Sequence, residues 1–266
     1  MPPGDVREFL LPAYPQTGTL AHTKIMRKAG LLLRVVVAAA VGLTAGFGPC
    51  LGCGGAESGP PTNRWESAIA AFEVMDRTNP PPRGAILFVG SSSIRLWPHL
   101  AQDFPGHQVI QRGFGGSELS DAVAFADRIV LPYRPKIILV YAGDNDIANG
   151  KSPERVLADF RAFVEKVRAA LPQTRIGFIA IKPCPARKAF LSQVRAANRL
   201  IKEYAGRDEY LFFVDVFTPM LGSDGGLRPE LFGADGLHMN EKGYALWASL
   251  IGPVLDQYDP SGARAP

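Results

Sequence analysis

The sequence predicts an α/β domain built on a parallel sheet, and three observations point there. Five short apolar runs, at 85–89, 107–112, 136–143, 175–181 and 210–216, lack the alternation expected of a sheet with one wet face. Segments with apolar residues at helical spacing lie between them, at 117–130, 153–171 and 187–205. Strands buried on both faces that alternate with helices require crossover connections, and those bring successive strands in parallel. A chain of 266 residues with 47% hydrophobic content suffices for one such domain and a tail.

In chain order, residues 1–53 read as a leader. Residues 1–25 carry no periodic pattern, and the expected start is Met26. From there Arg27, Lys28 and Arg34 precede the uncharged run 35–47 and then "GPCLGCGG", the order of a secretory signal. That run is too short for a membrane span, which takes about 20 apolar residues. "LGCGG" resembles the lipobox of bacterial lipoproteins, which makes Cys53 the expected lipidation site, although the place three before it holds Cys50 instead of leucine. Cys184 would then be the lone thiol of the mature chain, with no disulfide framework. Residues 54–63 form a tether rich in Pro, Gly and polar residues, 64–258 the domain, and 259–266 a tail. The domain opens with a helix in "WESAIAAFEVMD", stopped by "PPPRG", and closes with a helix in "NEKGYALWASLIGPVL".

The formal charge of +4 is concentrated in the leader, where Arg7, Lys24, Arg27, Lys28 and Arg34 face only Asp5 and Glu8. The body is therefore close to neutral and shows no clustered basic face, which excludes a nucleic-acid partner. "GFGGSE" departs from the dinucleotide fingerprint, and no G-K-[ST] follows a strand, so nucleotide binding is unsupported.

Ligands of open parallel sheets sit at the carboxyl ends of the strands. Three unusual loops follow strands immediately, "GSSS" at 90–93, "RGFGGSE" at 112–118 and "AGDNDIA" at 142–148, and "ADGLHMN" at 234–240 joins them through a longer connection. A serine hydroxyl needs a base, and the base needs a third group to fix its tautomer. Of the body's histidines, His99 and His107 have no acid at a telling spacing, whereas His238 follows Asp235 in D-x-x-H. Acyl transfer also needs donors for the oxygen that becomes charged. Amides at the start of a helix after Gly90, a close backbone approach at Gly116 and the side-chain NH2 of Asn145 supply them. These considerations alone leave Ser91, Ser92 and Ser93 all open as nucleophile.

Gly90-Ser91-Ser92, Gly116, Gly143-x-Asn145-Asp146 and Asp235-x-x-His238 stand in the order and approximate spacing of the four blocks of the SGNH hydrolase superfamily, the GDSL lipases and esterases, which the chain resembles over about 85–255. "ILFVGSSSIRLW" is most similar to the platelet-activating-factor acetylhydrolase-like branch. The resemblance implies a three-layer α/β/α sandwich, with a flavodoxin-like five-stranded parallel sheet and no metal or organic cofactor. It implies Ser92 as nucleophile, His238 as base, Asp235 as its orienting acid, and the Ser92 and Gly116 N–H groups with the Asn145 side chain as oxyanion donors. Ser93 then falls at the start of the following helix. Ser91 stands where the family has aspartate, a departure that bears on loop geometry.

Other residues carry plainer expectations. Asp144 and Asp146 read as loop hydrogen-bonding groups, Cys184 as inert in its loop, Arg134 and Lys136 as a solvated turn, and Trp97, Phe114 and Trp247 equally as core or cleft. The resulting expectation is an exported serine esterase acting on small-molecule or carbohydrate esters with short acyl groups such as acetyl, held at a bacterial membrane through lipidated Cys53. Two other readings use the same residues: a non-catalytic glycan-binding lipoprotein, and an acyltransferase that passes the acyl group to an alcohol.

Overall fold

The computed structural model describes residues 64–260. The leader, Cys50, Cys53 and the tether at 54–63 lie outside them, as does the tail from 261 onward.

The described chain begins with helix α1 (Glu66–Thr78) and strand β1 (Ile86–Gly90), then the short helices α2 (Ser92–Arg95) and α3 (Leu100–Asp103). Next come β2 (Val109–Gly113), α4 (Leu119–Ile129), β3 (Ile137–Tyr141), α5 (Asp144–Ala148), α6 (Pro153–Ala170), β4 (Arg175–Ile179), α7 (Leu191–Ala205), β5 (Leu211–Val214) and α8 (Glu241–Tyr258). All five strands are parallel in the order β2-β1-β3-β4-β5. The order reverses beside β1, so a crevice opens at the carboxyl ends of β1 and β3.

Every residue of β1 and β3 is buried, whereas the edge strands β2 and β5 contain half-buried positions. Helices α1, α4, α6 and α7 pack side by side on one face, and α2, α3 and α8 cover the other. The second face holds an aromatic cluster: Trp97 meets Phe88, Phe104, Tyr244 and Trp247 at centroid distances of 5.2–5.9 Å. Trp97 and Trp247 are therefore core. Truncating either would remove a large buried aromatic at a cost of about 3–5 kcal/mol. Phe114 is also fully buried, edge-on to Phe125.

The first two expected strands stop one residue short of the observed ends, and the third runs past its own, where a glycine turns the chain. The run 136–143 stops at Tyr141 because Gly143 sits at φ 108°, and a Cβ there would lie 2.5 Å from Ile181 Cδ1. The expected helix over 187–205 divides into a 3₁₀ segment, Pro185–Phe190, and α7 proper, since Arg187 has non-helical dihedrals. Asp259, expected in the tail, is buried and bonded to His107 and Lys136. Among the described residues no helix is long and apolar enough to cross a membrane.

Candidate active site

β1 delivers the three serines in a constrained turn. Gly90 has φ 143°, and a Cβ on it would fall 1.8 Å from the Tyr141 carbonyl oxygen, so only glycine brings β1 this close to β3. The Ser91 N–H donates to that same oxygen at 3.0 Å. Ser91 is the residue before α2, and Ser92 is the first helical residue, where a backbone N–H has no partner within the helix. The Ser91 hydroxyl is buried without a hydrogen-bond partner, so the position usually held by aspartate contributes no side-chain bond among the described residues. Ser93 lies one residue further into α2 than expected, and its hydroxyl accepts from Lys182 Nζ at 3.1 Å, facing away from the cleft chemistry.

Ser92 Oγ lies 3.1 Å from His238 Nε2, and His238 Nδ1 lies 2.6 Å from Asp235 Oδ2. The other Asp235 oxygen accepts the Leu237 N–H at 2.9 Å and the His238 N–H at 3.0 Å. Those amides, and then the imidazole, hold the half-exposed carboxyl down to about 2. The spacing D-x-x-H thus closes a turn on itself, helped by Gly236 at φ 62°. Asn240 fixes where the turn sits. Its Oδ1 caps α8 by accepting from Lys242 and Gly243, and its Nδ2 donates to the Glu230 and Phe232 carbonyls.

Asn145 enters from the loop after β3. One hydrogen of its Nδ2 goes to the Ser117 carbonyl at 2.9 Å, its Oδ1 accepts from Arg187 Nη2 at 2.7 Å, and the second amide hydrogen remains. Gly116, at φ 77°, borders the same cleft, and its N–H finds no protein acceptor among the described residues. Asp146 ties the two loops together by accepting from the Gly143 and Leu119 N–H groups, with Lys151 Nζ at 3.0 Å. The loop role expected for Asp146 is what it has.

Beneath this surface lies a charged cluster. Lys182, fully buried, reaches Asp144 Oδ2 at 3.0 Å, the Tyr141 hydroxyl at 3.0 Å and Ser93. Burial alone would lower the lysine and raise the aspartate. Asp144 and Tyr141 outweigh that effect for Lys182, and Lys182 and Arg187 outweigh it for Asp144, so the pair is ionised. Cys184 beside it is buried, and burial pushes its thiol up, away from the reactive thiolate.

The sequence-based reading brought together Ser92, Gly116, Asn145, Asp235 and His238; Ser92, Gly116, Asn145 and His238 line one cleft, and Asp235 contacts His238. It missed the loop after β4. There Arg187 grips Asn145, and the Ala186 N–H donates to the Gly236 carbonyl at 3.0 Å, so residues 182–187 brace two other loops at once. Position at the carboxyl end of a buried strand was the available signal. Trp65, Ala68, Arg95 and Leu237 also line the cleft, a cavity of about 420 Å3, and no sequence motif marks them.

A family model for GDSL-like lipases and acylhydrolases matches residues 43–246. The chain belongs to that family. It is an ester hydrolase, and the solved structures it resembles share its fold. One is a Streptococcus pneumonia protein whose name refers to platelet activating factor, at 22% identity and TM-score 0.63 over 71% of this chain and 92% of that one. Another is a GDSL-like lipase from Bacteroides thetaiotaomicron, at 19% identity and TM-score 0.62 over 71% and 97%. A third is an acetyl-xylooligosaccharide esterase mutant from Geobacillus stearmophilus, at 16% identity and TM-score 0.54 over 67% and 95%. No protein of curated function matches the enzyme.

Proposed function

We propose that the enzyme is a serine esterase that removes short acyl groups through an acyl-enzyme. The observation that carries this reading is the relay Ser92 Oγ to His238 Nε2 at 3.1 Å and His238 Nδ1 to Asp235 at 2.6 Å. His238 takes the Ser92 proton as Oγ attacks the ester carbonyl, and gives it to the departing alkoxide when the tetrahedral intermediate collapses. Asp235 holds the imidazole in the tautomer with Nδ1–H and stabilises the imidazolium that forms. Charge on the carbonyl oxygen is met by the Ser92 and Gly116 N–H groups and the free Asn145 amide hydrogen. Water, deprotonated by His238, then attacks the acyl-Ser92 ester and frees the acid.

The preference for short acyl groups follows from the cleft lining. Among the described residues Ala68 and Leu237 are its only aliphatic side chains, set among Ser92, Arg95, Asn145, His238 and two glycines, with Trp65. A long acyl chain gains about 0.8 kcal/mol for each methylene that finds an apolar wall, and this wall is too small to continue past the first few. Acetylated carbohydrates suit such a wet cleft. The relay is tested by Ser92→Ala, which should abolish hydrolysis of 4-nitrophenyl acetate, and the lining by an acyl series. kcat/KM should be highest at acetyl or butyryl, and a steady rise to dodecanoyl would overturn the short-acyl reading. For the whole chain we propose export and a lipid anchor at Cys53. Cells fed a clickable fatty acid should label the wild type and not Cys53→Ser, and equal labelling would refute the anchor.

A further inference from the structure

The cleft holds a cation that the proposed mechanism does not use. Arg95 is the last residue of α2, the helix that begins with Ser92, and its side chain borders the cleft. The loop 113–116 is shaped to receive it. A Cβ at Gly113 would come 2.2 Å from the Arg95 backbone nitrogen, and one at Gly115 would come 2.8 Å from its side-chain Nε and 3.3 Å from Nη2. Gly113 thus lets the backbone of α2 close on the end of β2, and Gly115 lets the Arg95 side chain lie along the segment that ends in Gly116. Among the described residues no carboxylate pairs with Arg95, and no hydrogen bond engages its guanidinium. The nearby Arg64 is committed: its Nη2 donates to the Gly116 carbonyl at 3.0 Å, and its guanidinium stacks 4.0 Å over the Trp65 ring. The one carboxylate at the relay, Asp235, is held by His238 and two backbone amides.

Arg95 is exposed and water can solvate its guanidinium, so what gives the group a use is its place on the cleft wall beside Ser92. A forked, permanently charged donor group matches an anionic oxygen pair, and one free cation balances one negative charge. We propose that Arg95 binds a carboxylate on the substrate, so that the preferred esters carry one negative charge within reach of Ser92. This rests on the serine-esterase reading and names the substrate class of that site.

The test compares kcat/KM of the full chain on three probes. These are 4-nitrophenyl acetate, which is neutral, 4-acetoxybenzoate, with the carboxylate on the alcohol side, and the 4-nitrophenyl monoester of glutaric acid, with it on the acyl side. Taking the ratio of wild type to variant on each probe cancels intrinsic reactivity. Arg95→Gln should lower kcat/KM for at least one charged probe about fivefold more than for the neutral one, the scale of an exposed ion pair. Arg95→Lys, which keeps the charge and loses the fork, should retain part of that preference. The wild-type preference should shrink as salt shortens the screening length. Equal losses on all three probes would overturn the role of Arg95 while leaving the esterase intact. No hydrolysis of any probe by the wild type would instead overturn the esterase reading itself.

Discussion

Two histidines of the domain lie between carboxylates and neighbouring groups at almost the same distances, yet only one is placed to act as a base. His238, at the carboxyl ends of the strands, has Asp235 on Nδ1 and a serine hydroxyl on Nε2. His107, just before β2 at the opposite edge, has Asp259 on Nδ1 at 3.0 Å and Asp256 on Nε2 at 3.0 Å. A cavity of about 320 Å3 adjoins it, so space is not what separates the two. The difference lies in the second nitrogen. Carboxylates on both sides occupy both ring nitrogens, which fastens the end of α8 to the start of β2. A hydroxyl on one side leaves a nitrogen that can accept a proton. Exposure points the same way: the His107 side chain is 4% exposed and that of His238 33%.

Mutations should separate the two sites in order of effect. His238→Gln should cut kcat by about 10⁴-fold or more with little change in stability, since it removes the proposed base from a half-exposed turn. Asp235→Asn should cost about 10²- to 10⁴-fold in kcat and much less in KM, because the amide donates where the imidazole N–H must donate. Removing the group that aims Asn145 is milder: Arg187→Met should lower kcat about tenfold and leave KM nearly unchanged, measured on 4-nitrophenyl acetate. His107→Gln should leave kcat unchanged and lower the unfolding free energy by about 1–3 kcal/mol in denaturant titration, because Asp259 loses one partner and keeps Lys136. Equal kinetic damage from His107→Gln and His238→Gln would erase the distinction drawn between them.

Acid pH sharpens the comparison further. The Asp235 carboxyl titrates near 2 in the folded chain, below the usual 3.8, so its stabilising contribution is complete above about pH 4 and is lost only as the pH falls toward 2. An acid limb in kcat/KM above pH 4 therefore belongs to the proton acceptor and not to Asp235.

The layout of strands and helices was legible because burial on both faces writes itself as uninterrupted apolar runs, as in "AILFV" and "KIILVY". The relay was legible for another reason: Asp235 and His238 are close in sequence, and the turn needs only a glycine between them. Arg187 and Lys182 were not legible. Their partners, Asn145, Asp144 and Ser93, lie 38 to 89 positions away, and the segment "KPCPARK" reads as proline punctuation. Trp65 and Arg95 escaped for a related reason, since what places them on the cleft is the absence of side chains at Gly115 and Gly116, across the β1–β2 crossover. Asp256 and Asp259 reach His107 from about 150 residues downstream, so spacing along the chain carried no hint of that cluster.

The separation of Ser92 from His238, 146 positions, has a consequence for how activity appears during folding. The serine turn is set by neighbouring strands β1, β2 and β3, but the histidine turn hangs from the cap of α8, the last helix, and rests on the loop after β4. Contacts this distant in sequence form late, because closing the intervening loop costs entropy that only the finished packing offsets. Esterase turnover should therefore rise only as the last helix docks, later than the recovery of secondary structure. A folding experiment read by substrate cleavage would report completion of the whole domain.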